Sequence, residues 1–134
     1  MSLPLPFTAP VPPDFLRDES RKTGTADAIA FPDGTTELAA TLRAAAALNA
    51  PVTVQGARTG ISAGAVPDGG VIVNLSRMDR ILGFRTDPQG NAFLRAQPGV
   101  ALATLRRHLA DRANTAGIPC LFTDRKSTRL NSSH

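Results

Sequence analysis

The residues of this chain best placed to do chemistry are glycines. The stretch VTVQGARTGISAGAVPDGG, residues 52–70, sets them at 56, 60, 64, 69 and 70, directly behind a β-like run, Val52-Thr53-Val54-Gln55. Successive amides in an irregular turn form an anion-binding nest without any basic side chain. Glycine adds positive φ and close approach of a bulky ligand. Three familiar uses of glycine fail here. A P-loop needs a Lys-Ser/Thr pair opening a helix, and neither follows. A dinucleotide-binding turn needs Gly-x-Gly-x-x-Gly running into a helix whose N-terminus meets the pyrophosphate, whereas Ile61–Gly70 is a poor helix former. Small residues at every fourth position mean helix packing only inside a long apolar helix, which is absent. What remains is an irregular loop between strands. By composition it is either a ligand-binding nest or a flexible connection.

The elements that must position this loop follow from patterning. The first 17 residues hold five prolines and are expected to form an extended arm. Arg17–Gly24 reads as a polar turn, and Ala26–Pro32 as a short strand stopped by its proline. Glu37–Leu48 is an expected amphipathic helix, with Thr35 or Thr36 as N-cap and Glu37 in the first turn. Leu38, Leu42, Ala45 and Leu48 form its expected buried face, and Asn49 ends it before Pro51. Strands are expected at Val52–Gln55, Val71–Leu75, Ile81–Phe84 and Ala92–Gln97, the last two joined by the turn Asp87–Asn91. Pro98-Gly99-Val100 leads into a second helix with Leu102, Leu105 and Leu109 on its core face and Arg106, Arg107 and Asp111 opposite. The order predicts a single α+β domain, with mixed short strands and two amphipathic helices, over a parallel doubly wound sheet.

Bulk properties exclude several classes. The 134 residues suffice for one small domain. No apolar run reaches 18 residues, so no membrane span is expected. The N-terminus lacks the pattern of a signal peptide. A single cysteine, Cys120, fits a reducing compartment, so a cytoplasmic location is expected. Asp124–His134, DRKSTRLNSSH, is unlike anything upstream and resembles a translated sequencing adapter; it is read as a non-native tail. The whole chain carries 15 basic and 11 acidic residues, but without that tail the balance is 12 to 10. The basic residues are scattered, and no nucleic-acid partner is expected. No His-Cys cluster suggests a metal.

A series of short elements carries a resemblance: Asp18-Glu19-Ser20, Pro32, Pro51-Val52, Gln55–Gly60, Gly69-Gly70, Leu75-Ser76-Arg77-Met78 and Pro98-Gly99-Val100. In order and spacing they resemble the FAD-binding (PCMH-type) domain of the vanillyl-alcohol-oxidase flavoproteins, over about residues 14–123. GAVPDGGVIVNLSRM is most similar to the glycolate oxidase and D-lactate dehydrogenase branch. The resemblance implies an N-terminal part of a flavin-dependent oxidoreductase acting on a 2-hydroxy acid or related alcohol. A small-molecule substrate and an electron-transfer partner go with that activity. It implies FAD pyrophosphate against Gln55, Gly56, Ala57, Arg58, Thr59 and Gly60, with Gly64 and Ala65 completing the loop and Pro98, Gly99 and Val100 forming a second edge. Gln55 stands where the family usually has arginine, and Arg58 where it usually has glycine. Arg58 is expected to restore the charge missing at Gln55 by contacting phosphate. Thr59 matches a position where covalent-flavin branches often carry histidine, so FAD is expected to be held non-covalently.

No catalytic residue is named, because the substrate-binding machinery is expected beyond this stretch. His108 is read as a solvated surface residue, Cys120 as a buried thiol, and Arg77-Met78-Asp79 as a structural turn. The alternatives to an oxidoreductase fragment are a non-catalytic cofactor- or anion-binding module and a non-functional truncated product.

Overall fold

A computed structural model describes residues 6–116, with side chains through Asp111. The chain divides into two units: one runs to Gly83 and takes in Arg95–Val100, and the other comprises Phe84–Leu94 and the chain from Ala101.

The first unit is built on three parallel strands, β1 (Ala28–Ala30), β2 (Val52–Gln55) and β3 (Val71–Asn74), in the order β1-β3-β2. Ala28 and Val52 flank Val71, and Gln55 lies beside Asn74. Every residue of the central β3 is buried, which is why VIVN reads as a continuous run rather than an alternating one. The mixed fold with short strands and two helices is as expected. The parallel sense of the sheet was not legible in the element order, because β3 inserts between β1 and β2 only after the long glycine loop. Parallel pairing has one consequence for function: the segments after Ala30, Gln55 and Asn74 all emerge at the same sheet edge.

Helix α1 (Thr35–Ala47) connects β1 to β2 and departs from expectation in two ways. Its N-cap is Gly34, because Thr35 already lies in the first turn and its hydroxyl makes no cap bond. Its buried stripe is Thr41 and Ala45, while Leu42 and Leu48 stay 43% and 46% exposed. Ala45 packs in one cluster with Phe7, Ala28, Ala30 and Val71, and Ala44 and Ala50 close around it. Small side chains bring the helix close to the sheet, and the wide leucines fall outside the contact. Thr41 is tolerated there because its Oγ1 donates to the Glu37 carbonyl at 2.8 Å. The helix ends in a Schellman motif: Ala50 N–H donates to Ala45 O and Asn49 N–H to Ala46 O, both at 3.0 Å, with Asn49 at φ 52°.

The described part of the proline-rich segment is packed rather than free. Phe7 is 3% exposed, and Thr8 pairs antiparallel with Ile29 through two backbone bonds of 2.9 and 3.0 Å. A sheet lined by Ala28 and Ala30 leaves a volume that one aromatic ring fills. Pro13–Leu16 then makes a 3-10 turn.

Strands β4 (Ile81–Thr86) and β5 (Ala92–Ala96) form a two-stranded hairpin. At its tip Asp87 Oδ1 accepts from the amides of Gln89 at 3.0 Å and Asn91 at 2.8 Å, and Gly90 takes φ 86°. In the second unit α2 (Leu102–Ala116) buries Leu109 and half-buries Leu102 and Leu105, with Arg106, Arg107 and Asp111 exposed. His108 is half-buried rather than solvated, and its Nε2 has no hydrogen-bond partner among the described residues. Cys120 and the tail Asp124–His134 lie outside the described residues.

Candidate functional site

The loop leaves β2 at Gln55 and passes over the edge where the parallel strands end, the usual ligand side of such a sheet. None of the backbone N–H groups of Gly56, Ala57, Arg58, Thr59 and Gly60 donates to another group among the described residues. A Cβ added at Gly56 or Gly60 would meet nothing within 4 Å, and neither residue has positive φ. The fold itself therefore needs glycine at neither position. Gly99 is the opposite case: a Cβ there would run into the carbonyls of Leu75 and Met78. Its N–H donates to Met78 O at 2.7 Å, which fastens Pro98-Gly99-Val100 to the turn that follows β3. Met78 is itself buried, so Arg77-Met78-Asp79 is a structural turn.

Gln55 is fully buried, and its amide is spoken for. Nε2 donates to Phe15 O at 2.7 Å and to Ala65 O at 2.9 Å, and Oε1 accepts from Asn74 Nδ2 at 3.1 Å. Asn74 Oδ1 in turn accepts from Ser76 N–H at 3.0 Å. The Gln55 side chain thus faces the interior and not a ligand.

Arg58 has the left-handed φ of 59° that glycine favours, and Ala63 follows at 63°. The Arg58 guanidinium donates to the Asp14 carbonyl and lies 4.6 Å from the Phe15 ring centre. Phe15 meets Phe31 edge-on at 5.4 Å and 77°, and Arg77 covers Phe31 at 5.0 Å. Cation, ring, ring and cation thereby link the segments following all three strands. Stacking of this kind offsets part of the left-handed strain, about 1–2 kcal/mol for a residue with a Cβ.

Arg58 and Ala57 also line a cavity of about 120 Å³ with Arg17, Asp18 and Glu19. Asp18 is only 9% exposed, and its Oδ1 accepts from Ser20 N–H at 2.8 Å. Its Oδ2 accepts no hydrogen bond among the described residues. The Ser20 hydroxyl, and more weakly the amides of Ser20, Ala65 and Ala63, hold the Asp18 carboxyl below the ordinary carboxylate range, against the opposing effect of burial.

Residues 26–125 match the family model described as FAD binding domain. The chain belongs to that family. FAD is accordingly the cofactor its fold is made to hold. Over 95 residues the chain is 37% identical to a D-lactate dehydrogenase of Anaerostipes hadrus, covering 69% of this chain and 19% of that protein. Over 105 residues it is 35% identical to an uncharacterized FAD-linked oxidoreductase of Mycobacterium tuberculosis, covering 75% of this chain and 22% of that one. The chain therefore spans about a fifth of the length of these relatives. Among solved structures, xylooligosaccharide oxidase from Myceliophthora thermophila superposes with a TM-score of 0.61 at 24% identity, over 79% of this chain and 23% of that one. For 6-hydroxy-D-nicotine oxidase from Arthrobacter nicotinovorans the TM-score is 0.61 at 22% identity, over 78% of this chain and 23% of that one. Both share the fold of this chain.

The amides of Gly56–Gly60 are unpaired among the described residues, with Gly64 and Ala65 on the returning limb of the loop. Pro98–Val100 is tied to the turn after β3, whose end shares that sheet edge. Asp18 and Asn74 escaped the sequence reading as loop-holding residues. Asn74 had a legible signal, a polar residue closing an otherwise apolar buried run. Asp18 had a weaker one in the Asp-x-Ser turn.

A carboxyl whose folded pKa is depressed contributes stability above its unfolded value of about 3.9, lost as pH falls through the folded value. Asp18 is therefore expected to stabilise the fold at neutral pH and to cease doing so in acid. The urea midpoint of Asp18→Asn should lie below that of the parent at pH 7, and the two should converge as the pH falls through the folded value. A gap that persists unchanged in acid would contradict this.

Proposed function

We propose that Gly56–Gly60 bind the pyrophosphate of non-covalently held FAD through backbone amides, within an oxidoreductase that oxidises a 2-hydroxy acid or related alcohol. The observation that carries this reading is the run of amides without acceptors among the described residues, set at the ends of parallel strands and flanked by two glycines that the fold does not require. When bound, the flavin accepts a hydride from the substrate. The chain's own residues orient and hold it. Open space over Gly56 and Gly60 lets phosphate oxygens approach the backbone. Thr59 carries no ring nitrogen for a covalent flavin bond. Gln55, with its side chain buried, contributes no direct phosphate contact. Arg58 supplies the one cation on the loop; turning from Asp14 and Phe15 toward a phosphate would exchange one set of contacts for another.

The substrate class is supported by the resemblance of GAVPDGGVIVNLSRM and by the D-lactate dehydrogenase relative. A cytoplasmic location, a small-molecule substrate and an electron-accepting partner complete the reading. No helix among the described residues is long and apolar enough to cross a membrane.

The test separates binding from folding. Gly56→Ala and Gly60→Ala should leave the urea midpoint unchanged or raise stability by up to about 1 kcal/mol, since both take ordinary backbone angles. The same changes should weaken FAD and ADP binding by about tenfold in calorimetric titration, because a methyl group then occupies the approach. Unchanged affinity would remove the loop from the site. For the chemistry, anaerobic D-lactate or glycolate should bleach the flavin of the full-length protein; a flavin that stays yellow with both would refute the substrate class.

A further inference from the structure

We infer that Gln55 is the positioning residue of the amide loop, closing residues 56–65 by tying their far end, Ala65, to the head of the loop and to the N-terminal turn. Its consequence for binding rests on the pyrophosphate reading, but the tie itself does not.

The loop has no core of its own. Its first five amides bond to nothing among the described residues, and Ile61 is 74% exposed. Two of its residues with a Cβ, Arg58 and Ala63, adopt left-handed angles, which persist only where the surroundings over-determine them. Gln55 does much of that. Its two donors reach Phe15 O and Ala65 O, its acceptor is taken by Asn74, and no surface of the residue is left to water. Removing the amide would take from two carbonyls the donors that now satisfy them, at a side chain with no exposure of its own. From the other side, Asp18 is fixed by the Ser20 amide and lies near the amides of Ala63 and Ala65. Ala65 is thus held through its carbonyl by Gln55, while its N–H faces a carboxylate. Neither side chain needs to touch a ligand to set where the amides of residues 56–60 point.

The experiment is hydrogen exchange on this chain, read by mass spectrometry without ligand. Gln55→Met keeps size and deletes the donors. Amides of residues 63–66, where Val66 N–H donates to Ala63 O and the amides of Ala63 and Ala65 lie against Asp18, should exchange about tenfold faster, with β1 and β3 within about twofold of the parent. Equal acceleration everywhere, or none, would make Gln55 a mere filler of the core and overturn the inference. Should Gln55→Met fail to fold, the paired variant Gln55→Arg/Asn74→Asp decides, because it restores donors to both carbonyls. Protection of 63–66 within about threefold of the parent supports the tie, and fast exchange confined to that limb of the loop in a folded protein overturns it. Adding ADP tests the pyrophosphate reading separately: failure of ADP to protect Gly56–Gly60 in the parent sinks that reading and leaves the tie to be judged on exchange alone.

Discussion

Gly70→Ala should lose about 2–5 kcal/mol of stability, a large share of what a small domain has. Two causes add. Gly70 has φ 68°, where a residue with a Cβ bears about 1–2 kcal/mol of strain. The new methyl would also run into the Pro51 carbonyl oxygen, with Pro51 ring carbons at 2.9 Å. Overpacking of that kind costs about 1–3 kcal/mol when neighbours can yield. Here they cannot yield freely. Pro51 O accepts from Val71 N–H at 2.9 Å, so moving it breaks the first rung between β2 and β3. Gly70 O accepts from Asp27 N–H at 2.7 Å, so moving Gly70 disturbs the approach to β1 as well. Urea denaturation followed by far-UV ellipticity measures the loss, with Gly56→Ala as the control that should show none. A loss below about 1 kcal/mol would mean the strand entrance is softer than its hydrogen bonds imply.

The contrast between Gly70 and Gly56 explains what the sequence could and could not disclose. Both are glycines in one stretch and look alike as letters. One is demanded by the packing of Pro51, and the other faces open space. Composition cannot separate them, because the difference lies in what other segments bring alongside. The surrounding short elements made the family legible, since each is a local constraint: a proline ending a strand, a Gly-Gly entering one, a Pro-Gly-Val against a turn. Strand and helix positions were legible for the same reason. The buried face of α1 was not, because hydrophobicity ranks leucine above alanine and threonine, whereas the close helix–sheet contact admits only Thr41 and Ala45. The packing of Phe7 was equally hidden, being decided by a void between alanines far along the chain. Gln55 was legible as an oddity within its family, but its direction was not. It follows β-like residues at a strand end, where facing in and facing out differ by one step of register.

That inward direction turns the oddity into the second large prediction. Gln55→Arg gives the residue the family usually carries, and should nonetheless destabilise this chain by about 3–5 kcal/mol, the usual effect of an unpaired buried charge. The side chain at 55 has no exposure, and its neighbours there are neutral: the carbonyls of Phe15 and Ala65 and the amide of Asn74. A guanidinium could donate to both carbonyls, yet neither they nor the Asn74 amide would balance its charge. Asn74→Asp alone should also destabilise, since a buried carboxylate would then face Gln55 Oε1, the acceptor that Asn74 Nδ2 now satisfies at 3.1 Å. Together the changes make a charge pair in place of an amide pair, and the new carboxylate can still accept from Ser76 N–H, as Asn74 does at 3.0 Å. The double variant should recover most of the loss, giving a coupling energy of about 2–3 kcal/mol between neighbouring residues. Chemical denaturation of the four proteins in the cycle measures it. Additive losses would show that residues 55 and 74 tolerate or reject substitutions independently. Strong coupling would show that this chain holds its glycine loop with a neutral version of an interaction that can also be built from charges, and that Gln55 and Asn74 must change together.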